Sequence, residues 1–486
     1  MPCRLAPHVR ALLLLLLLLT ARSLALNPFI SHMGVADPHV HVFTSGGGGA
    51  RFWLYATSDF AANDTGFLNE RWWVWESPDL VSWSLASVLL PNATAATRDE
   101  WKTCWATDGA QGADGQFYWY LSLGSQEIGV MRGASPAGPW EDVLRRPLIS
   151  KEQGAALGTQ ARDPALFVDS DGTPYLVFGT FNYFIARLEP NMTALAEPPR
   201  AVAFVGNVTS QNGVNVLDDK PFLHTRGGVY YFSFGAFYAM GSSPYGPFTQ
   251  DPASPTWVVE ALIAPEFRTN GTPSGPCWCQ ATDLNDRHGS FFSAGGQDFW
   301  SSNDRSHSDD PYNTNAFRDP ILTYVHYFSN GTIAPVVIDA MGVGEYDGTA
   351  RIQAENYMAA AGAAKAHRSG TSEFYVALGG GGDGGGGGGG GGRLTYPHVR
   401  HAPPRAALRL YAAGGRADCA LRAQLLDAGT GAALVECSAR LVQQAAWHEA
   451  SCGGALEGLP GDFTVRLAWG EECEGVAVDW LQLQAV

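Results

Sequence analysis

Basic residues are scarce in this chain. Lys and Arg number 31 against 47 Asp and Glu in 486 residues, a formal net charge of -16 at pH 7. No basic stripe stands out, so neither nucleic acid nor an anionic membrane surface is an expected partner. Long apolar runs are missing beyond the first twenty residues, which leaves nothing later that could cross a bilayer as a helix. Long helical periodicity is missing from residues 27–345, and its absence excludes a helical architecture there. Metal-site spacing is missing as well. Cys277-Trp278-Cys279 has no second pair or close histidine to complete a zinc set. What the chain has in quantity is aromatic rings, with Trp 15 and Tyr 17. Such rings stack on the apolar faces of sugars, and a buried core uses them equally well.

The N-terminus sets an expected compartment. Arg4 and Arg10 flank an apolar run from Ala11 to Leu19, and small residues follow at Ser23 and Ala25. This is the pattern of a signal peptide over residues 1–25, cleaved after Ala25, and it predicts a secreted, soluble product. Six N-x-Ser/Thr sequons, at Asn63, Asn92, Asn191, Asn207, Asn270 and Asn330, predict a glycoprotein. Cys3 leaves with the signal. Cys419, Cys437, Cys452 and Cys473 can form two disulfides, while Cys104, Cys277 and Cys279 leave one thiol over.

About 460 residues are too many for one core, so two domains are expected. Residues 27–345 carry an imperfect repeat in which a turn rich in Gly or Asp leads into an aromatic strand. The copies are Gly47–Ala56, Asp114–Gly124, Asp171–Gly179, Arg226–Gly235 and Arg287–Gly296. Turns at Glu76–Trp83, Ala134–Trp140 and Ser242–Phe248 end on an aromatic placed to plug the next layer. Five such copies predict an all-β five-bladed β-propeller over 27–348. Composition shifts near Gly344. Residues 351–486 lack helical pattern beyond a short stretch near Tyr357, and Val476–Leu483 alternates as a strand of a jelly-roll-like β-sandwich should. Gly379–Gly392 reads as a flexible loop within that second domain.

Ligands of propellers bind where inner strands converge on the axis. Asp37-Pro38 and Asp163-Pro164 each open an apolar strand, and Asp218-Asp219-Lys220-Pro221 leads into a later strand in a similar way. A single Asp-Pro commonly just caps a turn; two copies at matching blade positions point to a site. Three carboxylates around one point suit glycoside hydrolysis, with a base, an acid and a third group that orients.

From Asn27 to about Gly348 the chain resembles glycoside hydrolase family 43. The resemblance rests on Asn27-Pro28 with Ala36-Asp37-Pro38, Trp105-Ala106-Thr107-Asp108 and Arg162-Asp163-Pro164. It also rests on the Ser-Pro-x-Gly-Pro turns, His288-Gly289-Ser290 and Tyr327–Val336. It implies Asp37 as general base, Asp163 as the residue that orients the acid and adjusts its pKa, and Trp105 and Arg318 in the substrate pocket. His288 would stand on the axis, either holding a hydrated calcium ion or plugging the channel through hydrogen bonds. The chemistry itself would need no cofactor. Relatives carry a glutamate acid where this chain has Asp219, which is shorter by roughly 1.2–1.5 Å. Either the strand shifts inward so that Asp219 donates, or another acid substitutes, or the protein binds glycans without cleaving them. If active, the enzyme is expected to invert the anomeric centre, with the two carboxylates roughly 6.5–9.5 Å apart. The resemblance makes arabinofuranosyl-, xylosyl- or galactosyl-containing glycans the expected substrates.

The termini of the second domain, Ala350–Tyr357 and Val478–Leu481, resemble a carbohydrate-binding module of family 6. That resemblance implies calcium held by Gln353, Glu355 and Asp479, hard oxygen ligands of the kind calcium prefers. The module would bind glycan or brace the propeller.

Overall fold

Runs such as Asn-Glu-Arg-Trp-Trp-Val-Trp-Glu-Ser carry too many bulky rings and β-branched residues to be anything but strand. Strands of this kind fill the chain. The computed structural model describes residues 27–486 apart from 32, 45–48, 60–66, 97–100, 206–218, 250–259, 262–286, 305–316, 339–340, 370, 372, 380–390, 416–418, 443 and 453–454. The expected signal peptide, Cys277, Cys279 and the sequons at Asn63, Asn207 and Asn270 lie outside the described residues. Asn92, Asn191 and Asn330 are exposed.

Five antiparallel sheets follow one another along the chain. Sheet one comprises β1 (Val35–Thr44), β2 (Ala50–Asp59), β3 (Asn69–Ser77) and β4 (Ser84–Leu89). Sheet two comprises β5 (Cys104–Gln111), β6 (Phe117–Leu123), β7 (Glu127–Gly133) and β8 (Trp140–Asp142). Sheet three comprises β9 (Ala165–Val168), β10 (Pro174–Phe178), β11 (Phe184–Arg187) and β12 (Arg200–Ala201). Sheet four comprises β13 (Pro221–Arg226), β14 (Val229–Phe234), β15 (Phe237–Gly241) and β16 (Glu260–Ala261). Sheet five has three strands among the described residues, β17 (Phe291–Ala294), β18 (Gln297–Asp304) and β19 (Asp319–Val325). Each runs up and down in simple order.

The first strands are neighbours. β1 lies against β5 and β17, β5 against β9, and β9 against β13. The rings of Phe222 on β13 and Phe291 on β17 stand 6.4 Å apart. Sheets one and five are joined where Val40 N–H donates to Ser290 Oγ at 2.7 Å. Packing between sheets is aromatic, as the repeat predicts: Tyr55 of sheet one lies 5.6 Å from Trp119 and 6.4 Å from Trp140 of sheet two. Phe248 is wholly buried against Phe232.

Four of the five repeat copies run into the second strand of a sheet. The fifth falls on β17, a first strand, so Gln297–Asp304 is the counterpart of the other second strands. A short helix, α1 (Lys151–Leu157), connects sheets two and three. Ser150 and Gln153 close its N-terminus as a capping box, and Gly158 ends it in the left-handed conformation.

Residues 346–486 form two further sheets, one of six strands and one of seven. Alternate residues of both face a shared core, among them Leu394, Tyr396, Val465 and Leu467 from the first and Leu408, Leu410, Val478 and Leu483 from the second. The segment around Tyr357 is turn rather than helix, because its carbonyls are turned outward to a donor in sheet five. Of the glycine run, Gly391 and Gly392 begin a strand and pair with Gly470 and Trp469.

The interface between these sheets and sheet five is polar and close. Buried Gln297 donates through Nε2 to Glu355 O at 2.8 Å and Tyr357 O at 2.9 Å. Ala360 N–H reaches Gly295 O at 2.9 Å. Gly295 has φ +61, and a Cβ there would stand 2.3 Å from Met358 O. Lys365 bonds Gln297 Oε1 from the other side, and burial pulls its amine down to about 8.

Two disulfides join Cys419 to Cys473 and Cys437 to Cys452, and Cys104 is a buried thiol. The first bridge spans 54 residues and the second 15. Loop-closure entropy makes the longer bridge the stronger constraint on the unfolded chain, at about 4 kcal/mol against about 3 kcal/mol. Replacing Cys419 and Cys473 by Ala should therefore lower the melting temperature of this region more than replacing Cys437 and Cys452. Equal losses by calorimetry would contradict the loop-length argument.

Candidate active site

Asp37 and Asp163 stand in equivalent places. Both precede a proline, Pro38 within β1 and Pro164 just ahead of β9, a position from which the right-handed helical region is sterically disfavoured. Asp is one of the few side chains that tolerates the left-handed alternative, and their φ values are +52 and +54. Each is about 4 % exposed. Each donates its peptide N–H to a side chain of a neighbouring sheet, Asp37 to Asn303 Oδ1 at 2.7 Å and Asp163 to Ser122 Oγ at 3.0 Å. A bulge between Ala36 and His39 frees this corner of β1 from the ladder.

The Asp37 carboxylate is held from three directions. Arg318 Nη1 lies 2.8 Å from Oδ1, His288 Nδ1 lies 3.2 Å from it, and Asn303 Nδ2 donates at 3.1 Å. Burial alone would push the carboxyl up. The Arg318 charge and the His288 and Asn303 contacts outweigh it and hold Asp37 well below the usual carboxylate range. Arg318, expected to face substrate, is itself buried and also grips Asp59.

The corner ahead of β13, which begins with Pro221, departs from the pattern. The left-handed residue before Pro221 is Lys220, with φ +72, and its peptide N–H points at Asp163 Oδ2 at 3.3 Å. Asp219 sits one residue earlier and is half-buried. Its Oδ1 accepts from Lys220 Nζ, and its Oδ2 lies 3.4 Å from Arg162 Nη2. Arg162 in turn covers the Trp105 ring at 4.8 Å, and Trp105 Nε1 donates to Phe67 O at 2.9 Å. Asp163, Lys220, Asp219, Arg162 and Trp105 are thus one contact group, and Asp37, Arg318, Asn303 and His288 are another.

Between them runs a buried row that the sequence reading left without a role. The His39 ring lies 5.0 Å from His288. His39 Nδ1 is 3.2 Å from Asp108 Oδ1, off the hydrogen-bond direction, and neither ring nitrogen has a hydrogen-bond partner. His41 Nε2 bonds the same Asp108 oxygen at 2.5 Å, and Leu166 N–H reaches Oδ2 at 2.6 Å. Burial pushes Asp108 up, but His41 and His39 prevail and keep it ionised. One carboxylate thereby joins β1, β5 and β9. The signal was legible: His39 and His41, two apart on a strand, share a face. Asp59 was missed because it ends a second strand, away from any Asp-Pro. His41 also lines a cavity of about 230 Å³ shared with His224, Arg226, Asp298 and Tyr327.

His288, the residue expected to hold a hydrated ion, keeps a buried Nε2 without a hydrogen-bond partner, and among the described residues no three His, Cys, Asp or Glu side chains gather around one point. In the C-terminal sheets Gln353 is exposed and Asp479 faces Arg368 at 3.6 Å. Only Glu355 offers a buried oxygen without a partner, and burial pushes its carboxyl up to about 8, the protonated form at neutral pH.

Known proteins are similar to this chain. A β-D-galactofuranosidase, xynD, of Aspergillus niger is 27% identical over 333 residues, covering 63% of this chain and 84% of that protein. An arabinoxylan arabinofuranohydrolase of Bacillus subtilis is 28% identical over 263 residues, or 46% of this chain and 50% of the relative, so the chain matches half of that protein's length. The crystal structure of a glycoside hydrolase family 43 arabinoxylan arabinofuranohydrolase from Bacillus subtilis, in complex with cellotetraose, is similar in fold, with a TM-score of 0.52. It is 19% identical, and the likeness covers 95% of this chain and 97% of that one. The family's sequence model matches residues 26–255, which take in sheets one to three, the first three strands of sheet four and both aspartates of the equivalent corners. Over that region, a little under half of its length, the chain is similar to glycosyl hydrolases family 43.

Proposed function

We propose that this is a secreted, inverting glycoside hydrolase in which Asp37 is the general base, Asp163 orients the acid and Asp219 donates the proton. The five consecutive sheets are read as blades of a propeller over 27–348, and the last two as a β-sandwich over 351–486. The observation that carries the reading is the grip on Asp37. A base that activates water must be an anion at working pH, and Arg318, His288 and Asn303 keep it one. The names of the relatives support arabinofuranosyl, xylosyl or galactofuranosyl glycans as substrates. The disulfides support an oxidising, extracellular compartment. Among the described residues no helix is long and apolar enough to cross a membrane.

A second reading, a glycan-binding protein without hydrolysis, is favoured by the surroundings of Asp219. Its two oxygens are both engaged by cations, Lys220 Nζ and Arg162 Nη2, instead of being turned free toward a leaving group.

The two readings part on leaving-group dependence. Aryl glycosides need little acid assistance, and oligosaccharides need it fully. Wild type and Asp219→Asn should be compared on aryl α-L-arabinofuranosides, β-D-xylosides and β-D-galactofuranosides beside the matching oligosaccharides. The expected result is a loss of about 10²–10⁴-fold on oligosaccharides and a much smaller loss on aryl substrates. NMR of the first-formed anomer checks inversion. A wild type that binds oligosaccharides by calorimetry but cleaves neither kind supports the second reading.

A further inference from the structure

Asp59 ends β2 and touches neither Asp-Pro corner, yet it is bound to the residue that holds Asp37. Its Oδ2 accepts from Arg318 Nε at 3.1 Å and from the Arg318 peptide N–H at 2.7 Å. Its Oδ1 accepts from Nη2 at 2.8 Å. Asn69 Nδ2 donates to the same Oδ1 at 2.8 Å and so fixes the carboxylate in turn. The Phe67 ring lies over the guanidinium at 5.1 Å.

We propose that Asp59 is a positioning residue for hydrolysis: by gripping the Nε and Nη2 edge of Arg318 it aims Nη1 at Asp37. The inference rests on the reading of Asp37 as the base. A side-on bidentate pair fixes the plane of a guanidinium as well as its place. With Nε and Nη2 committed to Asp59, Nη1 is the corner presented to Asp37 Oδ1 at 2.8 Å. A lone Arg318–Asp37 contact through one nitrogen would leave the arginine free to pivot.

The grip is a poor device for stability alone. Two buried carboxylates share one guanidinium, and burial together with the Asp37 charge pushes Asp59 up to about 6 in spite of Arg318 and Asn69. Buried ion pairs of this kind are frequently no better than apolar packing. Among the described residues, His288 Nδ1 also meets Asp37 Oδ1 at 3.2 Å, and Asp319 Oδ1 accepts the Gly34 N–H at 3.3 Å beside the end of β2.

The test is Asp59→Asn, read two ways. In the first, carboxyl carbons are titrated by ¹³C NMR, with Asp37 assigned by its loss in Asp37→Asn. Wild-type Asp37 should stay ionised down to acid unfolding. In Asp59→Asn a titration of Asp37 should appear above about pH 3, within the ordinary carboxylate range. The direction discriminates between explanations, because deleting a negative neighbour without moving Arg318 would make Asp37 still harder to protonate. In the second, kcat should fall roughly 10–100-fold, as for a catalytic group misplaced by about 1 Å, with KM within about twofold. The acid limb of kcat/KM should move to higher pH. Adding Asp59→Asn to Arg318→Lys should cost little more, since Asp59 acts through the arginine. An Asp37 that remains untitrated together with an unchanged kcat overturns the proposal. If Asp59→Asn does not fold, Asn69→Ser, which removes one of the two hydrogen bonds to Asp59 Oδ1, should give the same directions at smaller size. A wild type that hydrolyses nothing while the NMR shift appears would sink the hydrolase reading and leave the positioning role standing.

Discussion

Asp37→Asn should reduce hydrolysis of aryl and natural substrates alike by at least about 10³-fold, toward the upper part of the range for loss of a general base. The amide fills the same volume and can still accept from Arg318 Nη1, so the corner keeps its shape. What it loses is the lone pair that takes a proton from water. Aryl substrates cannot rescue it, because a better leaving group does nothing for an unactivated nucleophile, and this separates the base from Asp219. The fold should survive, since Arg318 remains paired with Asp59. Stability should respond to acid with a definite sign. Asp37 is depressed in the folded protein, so the stability it contributes is present above about pH 4 and is lost as the pH falls below that. Melting curves of wild type should therefore drop more steeply than those of the variant on acidification below about pH 4. Residual activity within tenfold of wild type on both substrate kinds would remove Asp37 from the chemistry.

Gly289→Ala should be the most damaging single methyl group added at any described glycine. A Cβ at this position would stand 1.8 Å from Ser301 O and 2.6 Å from Ser301 C, backbone atoms that cannot swing aside. Ser301 is tied on every side: its N–H donates to Ser290 O at 2.9 Å, and its hydroxyl meets Ser290 Oγ at 3.0 Å and Pro38 O at 2.6 Å. The displacement must therefore travel into the joint between sheets one and five. There it meets His288 and Asn303, both of which touch Asp37 and which are bonded to each other by Asn303 N–H to His288 O at 3.0 Å. The loss of stability should exceed the roughly 1–3 kcal/mol usual for overpacking, and activity should fall with it. Gly49→Ala is the control, because a Cβ there meets nothing within 4 Å. Equal melting temperatures for the two variants would contradict the close approach.

The sheets were legible because aromatic strands and Gly-rich turns are local signals. The slip of the fifth copy onto β17 shows where that signal ends: turn and ring composition mark a hairpin without saying which of its strands faces inward. The two Asp-Pro corners were legible for a similar reason, since one dipeptide specifies both the bend and the carboxylate. Asp219 was harder. Sequence places it beside Asp163 by analogy, but the left-handed step is taken by Lys220, and one residue of offset turns a carboxylate from the corner itself to a flank between two cations. Asp59 was invisible, because its partner Arg318 lies 259 positions away and nothing in a single chain announces such a pairing. The turn at Tyr357 misread as helix has the same origin, a partner in sheet five that only the fold supplies.

The contact between Gln297 and the turn at Glu355–Tyr357 bears on how this protein could have been inherited. Domains joined as beads can be lost, duplicated or exchanged without harm to their neighbours. Here one buried amide has both its donors committed across the boundary, and the neighbouring hairpin turns on a glycine pressed against the opposite backbone. Cutting the gene between the two parts would strand those donors and bare that turn to water. The C-terminal sheets are thus less a detachable accessory than a graft that has taken, and recombination would be expected to move the pair together.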